Sequence, residues 1–419
     1  MEETTGIKYK VYPYRWVVLL CMIPIIISSE IFWLTFAPIA TAAAKYYQVS
    51  SLSIDLFSMS YMFMYIVFTI PASWIIEKYG FKVSVIIGSI LTVVFGATRF
   101  VFAENFIIVL VSQFLLAAGQ PFLVNISTKV PANWFPLKQR STASGLLVMA
   151  QYLGFILAFA LSPRLYDDMG MKTLLGIYAG ISLISALLAI FLTKEKPAVP
   201  PGPEAPKESM NLKNMGRLLV SKNFSLVLII SFISLGVFNT ILTVIEQFLK
   251  PKGFTSTQAG DATTAFVVSG IIAAVVLPML SDKIRRRTPL FVIAMPIFVL
   301  LLVGLTFFTD YILIITVCAL LGFLIMGLGP ILFQHGAEVA YPIQEGASFG
   351  TIMFMGQVSG ILFVLIFQMI FDATQNYLWP MVFLLVLVAI QVPLAAFMKE
   401  SKILKDSREQ WLATKKSLK

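Results

Sequence analysis

Glu30 and Trp33 are the two side chains of this sequence best matched for chemistry, a carboxyl group and an indole three residues apart inside the apolar run 15–41. Helical spacing sets positions i and i+3 on one face. One group supplies charge and the other a quadrupole, so together they suit a positively charged organic group. Pro24 upstream and Pro38 downstream free backbone carbonyls and let the helix bend there. Other polar groups interrupt apolar runs: Asn239 and Glu246-Gln247, then the amides Gln113, Gln120, Asn125, Gln151 and Gln357. The expected substrate-binding set is Trp33, Glu30, Gln120, Gln151, Asn239 and Gln357, with Glu30 and Glu246 as the groups able to carry a coupling proton. Plainer roles compete. Buried amides join helices at about 1 kcal/mol each, and Glu246 can be a wetted interfacial residue. His335 and Glu338 are i, i+3 but have no second pair of ligands, so a gate or cap role is expected and no metal. No Lys or Arg falls near mid-depth, Arg99 and Arg164 lying toward span ends, which disfavours an anionic cargo. A P-loop, a His/Cys cluster and a Ser/His/Asp set are all missing, so neither an enzyme nor a cofactor is expected.

Composition dictates the elements that hold these groups. The chain has 419 residues, 58% hydrophobic and 12% charged, against about 45–50% apolar and about 25% charged in soluble domains. That much apolar surface has no place in a water-soluble protein of this length. A bilayer core about 30 Å thick needs about 20 apolar residues per helix. Twelve runs qualify: 15–41, 52–76, 83–103, 105–128, 140–163, 172–193, 224–249, 257–281, 288–308, 311–335, 346–371 and 377–398. The first is too long and too polar in its lead-in for a cleaved signal peptide. Cys21 and Cys318 lie in such runs and read as small core residues.

The net charge of +10 does not form a nucleic-acid patch; its basic residues fall between the runs. With the N-terminus inside, 25 of the 31 Lys and Arg lie on the inner side, which predicts a cell-membrane protein with both termini cytoplasmic. A Pro-rich stretch, 197–206, divides the chain. The expected domains are an N-terminal six-helix bundle (1–193), a linker (194–223) with a short interfacial helix within 209–222, a C-terminal bundle (224–398) and a basic tail (399–419).

The halves repeat. Phe135-Pro136, Gln151 and Gly154 recur 206 residues later as Tyr341-Pro342, Gln357 and Gly360, and Gly145 recurs at 205 as Gly350. Two parallel six-helix halves describe a rocking transporter. The loops Glu77-Lys78-Tyr79-Gly80-Phe81-Lys82 and Ser281-Asp282-Lys283-Ile284-Arg285-Arg286-Arg287 carry acid, base, Gly, base, the second without its Gly. They resemble the loop signature of the major facilitator superfamily. The resemblance implies an all-α fold of twelve transmembrane helices in two pseudo-symmetric bundles. It also implies a gating cluster of Glu77, Lys78, Asp282 and Arg286, to which the gate role read for Glu338 adds a fifth residue.

A narrower resemblance rests on Phe32-Trp33 through Tyr46-Tyr47-Gln48-Val49-Ser50 and on Ile54-Asp55-Leu56-Phe57-Ser58-Met59-Ser60-Tyr61-Met62. Gly119-Gln120-Pro121-Phe122, Asn133-Trp134-Phe135, Gly236-Val237-Phe238, Glu338 to Pro342, and Glu345-Gly346-Ala347-Ser348-Phe349-Gly350 with Gln357 add to it. These motifs are similar to the feline leukaemia virus subgroup C receptor-related family, whose members transport choline and ethanolamine, some being linked to haem. The resemblance implies a cavity in which Trp33 gives the cation–π face and Gln120 and Gln357 line the site. Two departures stand out: Asn239 where the family places an aromatic, and the added charge of Glu30. Both shift the expectation from choline toward a protonatable primary amine or proton coupling.

The expected function is transport of a small cationic or zwitterionic solute by alternating access, in a monomer whose partners are that solute and the bilayer. The alternatives are a drug/proton antiporter with a broad Phe- and Met-rich pocket, and a non-transporting membrane sensor on the same fold.

Overall fold

The computed structural model describes residues 9–201, 212–220, 222–341, 345–401 and 404–405. Pro342, the linker residues 202–211 and 221, and all but a few residues of the basic tail lie outside them. Among the described residues, eleven helices are long and apolar enough to cross a membrane. One of these, Leu137–Leu192, is interrupted at Gly170, whose φ of 76° and ψ of 174° break the helical path. The described residues therefore supply the twelve spans expected. They are α1 (Tyr14–Tyr47), α2 (Ser51–Tyr79), α3 (Phe81–Val101), α4 (Phe106–Trp134), α5 (137–169), α6 (171–192), α7 (Phe224–Lys252), α8 (Ser256–Ile284), α9 (Thr288–Phe307), α10 (Tyr311–Ala340), α11 (Ser348–Thr374) and α12 (Leu378–Phe397). Within the expected interfacial segment, Leu212–Leu219 is helical.

The chain forms two compact units, Met1–Thr35 with Met64–Ser209, and Phe36–Phe63 with Met210–Lys419. In the first, Val18, Met22, Ile25, Phe81, Leu123, Trp134 and Leu147 belong to one buried cluster. Lipid tails are as apolar as these side chains, so close packing rather than water exclusion holds such helices together. Glycine permits that closeness. At Gly154 of α5 a Cβ would lie 2.5 Å from Glu30 Cβ of α1. In the second unit Gly322 of α10 sits against the Phe266 carbonyl of α8, and at Gly360 of α11 a Cβ would lie 2.8 Å from Met62 Sδ and 2.9 Å from Asn239 Nδ2 of α7.

Prolines decide where α1 and α4 break. In α1 the segment Ile23–Leu34 begins with Pro24 at its second position, and Pro38 lies in the 3-10 turn Ala37–Ile39. In α4 the short helices Gln120–Val124 and Lys129–Trp134 each carry an early proline, Pro121 and Pro131. Proline lacks the N–H and blocks the carbonyl four residues back, so the helix restarts around it.

The repeat extends to backbone chemistry. Asn105 caps α4 by accepting the Ile108 N–H at 3.1 Å, and 205 residues later Asp310 caps α10 by accepting the Leu313 N–H at 3.0 Å. Gly80 ends α2 at φ 93°, and Arg285, 205 residues on, ends α8 at φ 51°. The two differ in ψ: Arg285 is left-handed helical at 41°, whereas Gly80 stands at 165°.

Candidate functional site

Glu30 sits in the unbroken middle of α1 with no exposed surface. The turn at Ala118–Gly119 interrupts the helix and makes Gln120 the first residue of its helical segment. Its Nε2 donates to both carboxyl oxygens of Glu30, at 3.0 and 3.3 Å. Gly154 closes the third side. One turn along α1, Trp33 is 7% exposed, and its ring meets Phe155 of α5 edge-on, with centroids 5.4 Å apart. Tyr152 lies 6.0 Å from Phe155. Gln151, next to Tyr152, is half-buried. The first unit joins Glu30 to Gln120 and sets Trp33 against Phe155, with Tyr152 beside it; pattern reading passed over both of these aromatics. Their signal was available: two aromatics three residues apart flanking a glycine. A buried carboxyl group met by an amide, with an indole one helical turn away, can hold a proton or an ammonium group.

The neighbouring amides act as glue. Gln113 Nε2 donates to the Phe32 carbonyl at 3.0 Å, and Asn125 Nδ2 reaches Thr69 Oγ1 of α2 at 3.1 Å. Arg99 turns from the end of α3 into the unit, fully buried, with its guanidinium 5.0 Å from the Phe32 ring centre.

In the second unit Asn239 Nδ2 donates to the Gly356 carbonyl at 3.2 Å, linking α7 to α11, and Gln357 is half-buried beside it in sequence. Glu246 has no exposed surface, and its partners are structural. The break at Pro38 leaves Thr41 at the start of the helix Ala40–Tyr47, where N–H groups need acceptors. Glu246 Oε2 accepts from Thr41 N at 2.9 Å and Thr41 Oγ1 at 2.7 Å, while Oε1 accepts from Ser256 Oγ at 2.8 Å. Lys250 lies 3.9 Å from Oε1. Nearby, Asp55 is 2% exposed and accepts from Gln247 Nε2 at 2.5 Å and from Gln368 Nε2. Tyr377, just ahead of α12, has its phenol pushed up by burial first, and then by the carboxyl groups of Asp55, Glu246 and Asp372. The cue for Asp55 was a carboxyl group in an apolar span, muted by the polar turn before it.

Of the expected gating residues, Glu77 and Lys78 are exposed, with the Lys78 ammonium 4.6 Å from the Trp74 ring centre. Asp282 and Arg286 are exposed, and Glu338 pairs with Arg287, not Arg286, through a 2.6 Å contact. Arg287 also lies 3.8 Å from Asp282. His335 is 2% exposed, one turn before Glu338.

The Major Facilitator Superfamily model matches residues 18–364. The chain belongs to this superfamily. It is a multi-pass membrane transporter of the superfamily, embedded in the lipid bilayer and acting on a small molecule, and it is not an enzyme. The choline/ethanolamine transporter flvcr2a of Danio rerio is 27% identical over 424 residues, covering 95% of this chain and 89% of that one. An uncharacterized MFS-type transporter of Caenorhabditis elegans is 29% identical over 385 residues, covering 86% of this chain and 65% of that one. A bacterial homologue of the human lysosomal transporter Spinster, inward-facing and unoccupied, superposes with a TM-score of 0.67 at 14% identity, covering 92% of this chain and 97% of that one. The narrower resemblance read from the sequence thus agrees with its named relatives.

Proposed function

We propose that this transporter moves a small organic amine, choline- or ethanolamine-like, by alternating access, with Glu30 and Trp33 holding its positive end. The observation that carries this reading is the fully buried Glu30 carboxyl group, met by Gln120 and one turn from the Trp33–Phe155–Tyr152 ring cluster. The name of the zebrafish relative supports the cargo class. Tyr152 and Phe155 supply ring surface in the first unit where the second offers Asn239. Glu30 carries a proton when no ammonium group is present, which couples the two. Glu246 is a lesser candidate for coupling, because both its oxygens are occupied by Thr41 and Ser256. Gln151, Asn239 and Gln357 are to be tested separately by substitution.

A desolvated cation–π contact contributes about 2 kcal/mol, so Trp33→Ala should lower kcat/KM for choline and ethanolamine about 30-fold in proteoliposomes. The melting temperature should stay near that of the unaltered protein. Uptake equal to wild type contradicts the assignment.

A further inference from the structure

Glu195 and Glu400 stand 205 residues apart and make the same contact in their two units. Three residues beyond the end of α6 at Leu192, Glu195 Oε2 accepts the backbone N–H of Lys82 at 2.7 Å, in the first turn of α3. Its Oε1 accepts from Asn133 Nδ2 of α4 at 3.3 Å. Three residues beyond the end of α12 at Phe397, Glu400 Oε1 accepts the N–H groups of Arg287 and Thr288, both at 2.9 Å, at the start of α9. Glu338, which is 205 residues after Asn133, joins this second cluster. It accepts from Ser401 Oγ at 2.8 Å and from Arg287 Nη2 at 2.6 Å.

A helix start leaves N–H groups without intrahelical acceptors and carries partial positive charge, so a carboxylate placed there is favoured. Gly80 and Arg287, the residues preceding α3 and α9, provide no side-chain cap. The cap comes from the chain leaving the last helix of the same half. In the first unit that chain is tied further: Trp134 Nε1 donates to the Lys194 carbonyl at 2.9 Å, and the Tyr14 hydroxyl donates to the Leu192 carbonyl at 2.9 Å. Gly80 is required as well, since a Cβ there would lie 2.5 Å from the Glu195 carboxyl carbon.

We propose that Glu195 and Glu400 are positioning residues for transport, each fastening the third helix of its half to the chain leaving the last, so that those helices move as one body. Rocking transport needs bodies that turn without internal shear. The proposal rests on membership of the superfamily and not on the cargo.

The test uses the full chain in lipid nanodiscs for amide hydrogen exchange, and in proteoliposomes for choline and ethanolamine uptake normalised to folded protein. Glu195→Ala should quicken exchange about tenfold over residues 81–84, and Glu400→Ala over residues 288–291, each in its own half. Vmax should fall about fivefold with KM unchanged. Glu400→Gln keeps an oxygen able to accept both N–H groups and should restore exchange and Vmax together. Wild-type exchange in both alanine variants overturns the proposal, as does quickened exchange with wild-type Vmax. Should the unaltered protein move neither amine, the cargo reading fails, and exchange alone decides the fastening: quickened rates support it and unchanged rates overturn it.

Discussion

Glu30 in the first unit and the Asp55–Glu246 group in the second are both buried carboxyl sites, and they differ in what surrounds them. Both oxygens of Glu246 are taken by groups of the fold, Thr41 N, Thr41 Oγ1 and Ser256 Oγ. Asp55 is held by two glutamine amides from α7 and α11. Among the described residues Glu30 meets one amide, Gln120, and its Cβ packs on Gly154. A carboxyl group that closes a break in the backbone is committed to structure. One that meets a lone amide keeps lone pairs for a ligand. Under the proposed function the same residue type, equally buried, serves different ends, and the partner set distinguishes them.

The largest expected effect sharpens the first half of that contrast. Gly154→Leu would drive a side chain into Glu30 Cβ and the Ile27 carbonyl, and overpacking of this kind costs about 1–3 kcal/mol or more. Its melting temperature in detergent should fall sharply and uptake should vanish. Next, Glu246→Ala strips the acceptor from Thr41 N and Ser256 Oγ. A lost cap costs about 0.5–2 kcal/mol, so thermal stability should drop while KM for the remaining activity holds. A changed KM with unchanged melting would move Glu246 into the binding set and erase the distinction. Asp55→Asn should be milder, about 1 kcal/mol, because the amide oxygen still accepts from Gln247 and one donor is left facing Gln368. The smallest effect is a control. Gly145 has nothing within 4 Å of an added Cβ, so Gly145→Ala should stabilise by up to about 1 kcal/mol through helix propensity, seen as a slightly raised melting temperature.

Hydropathy made the spans legible, since twenty apolar residues in a row have few other uses, and even the short polar breaks at Asn105 and Asp310 proved to be helix caps. Glu30, Trp33 and Gln120 were visible because polarity in an apolar helix is conspicuous. Tyr152 and Phe155 were not, because aromatic residues in a lipid-rich sequence carry no such contrast, and only the crossing at Gly154 brings them to Trp33. Asp55 escaped notice beside the polar turn at 48–53. The role of Glu195 and Glu400 depends on where the chain returns after α6 and α12, which spacing does not encode. That Arg287 and not its neighbours pairs with Glu338 was hidden for a similar reason: the chain turns at the left-handed residue Arg285, and spacing does not encode which of three adjacent arginines is buried.

Glu30→Gln in proteoliposomes, assayed for ethanolamine and choline uptake with and without a pH gradient, separates a ligand-holding carboxyl group from a structural one. The substitution is close to isosteric and retains an acceptor for Gln120 Nε2, so the melting temperature should change little. Uptake should fall at least about tenfold, and the response to the gradient should disappear. Wild-type uptake with an intact gradient response would show that the positive end of the cargo and the coupling proton are held elsewhere.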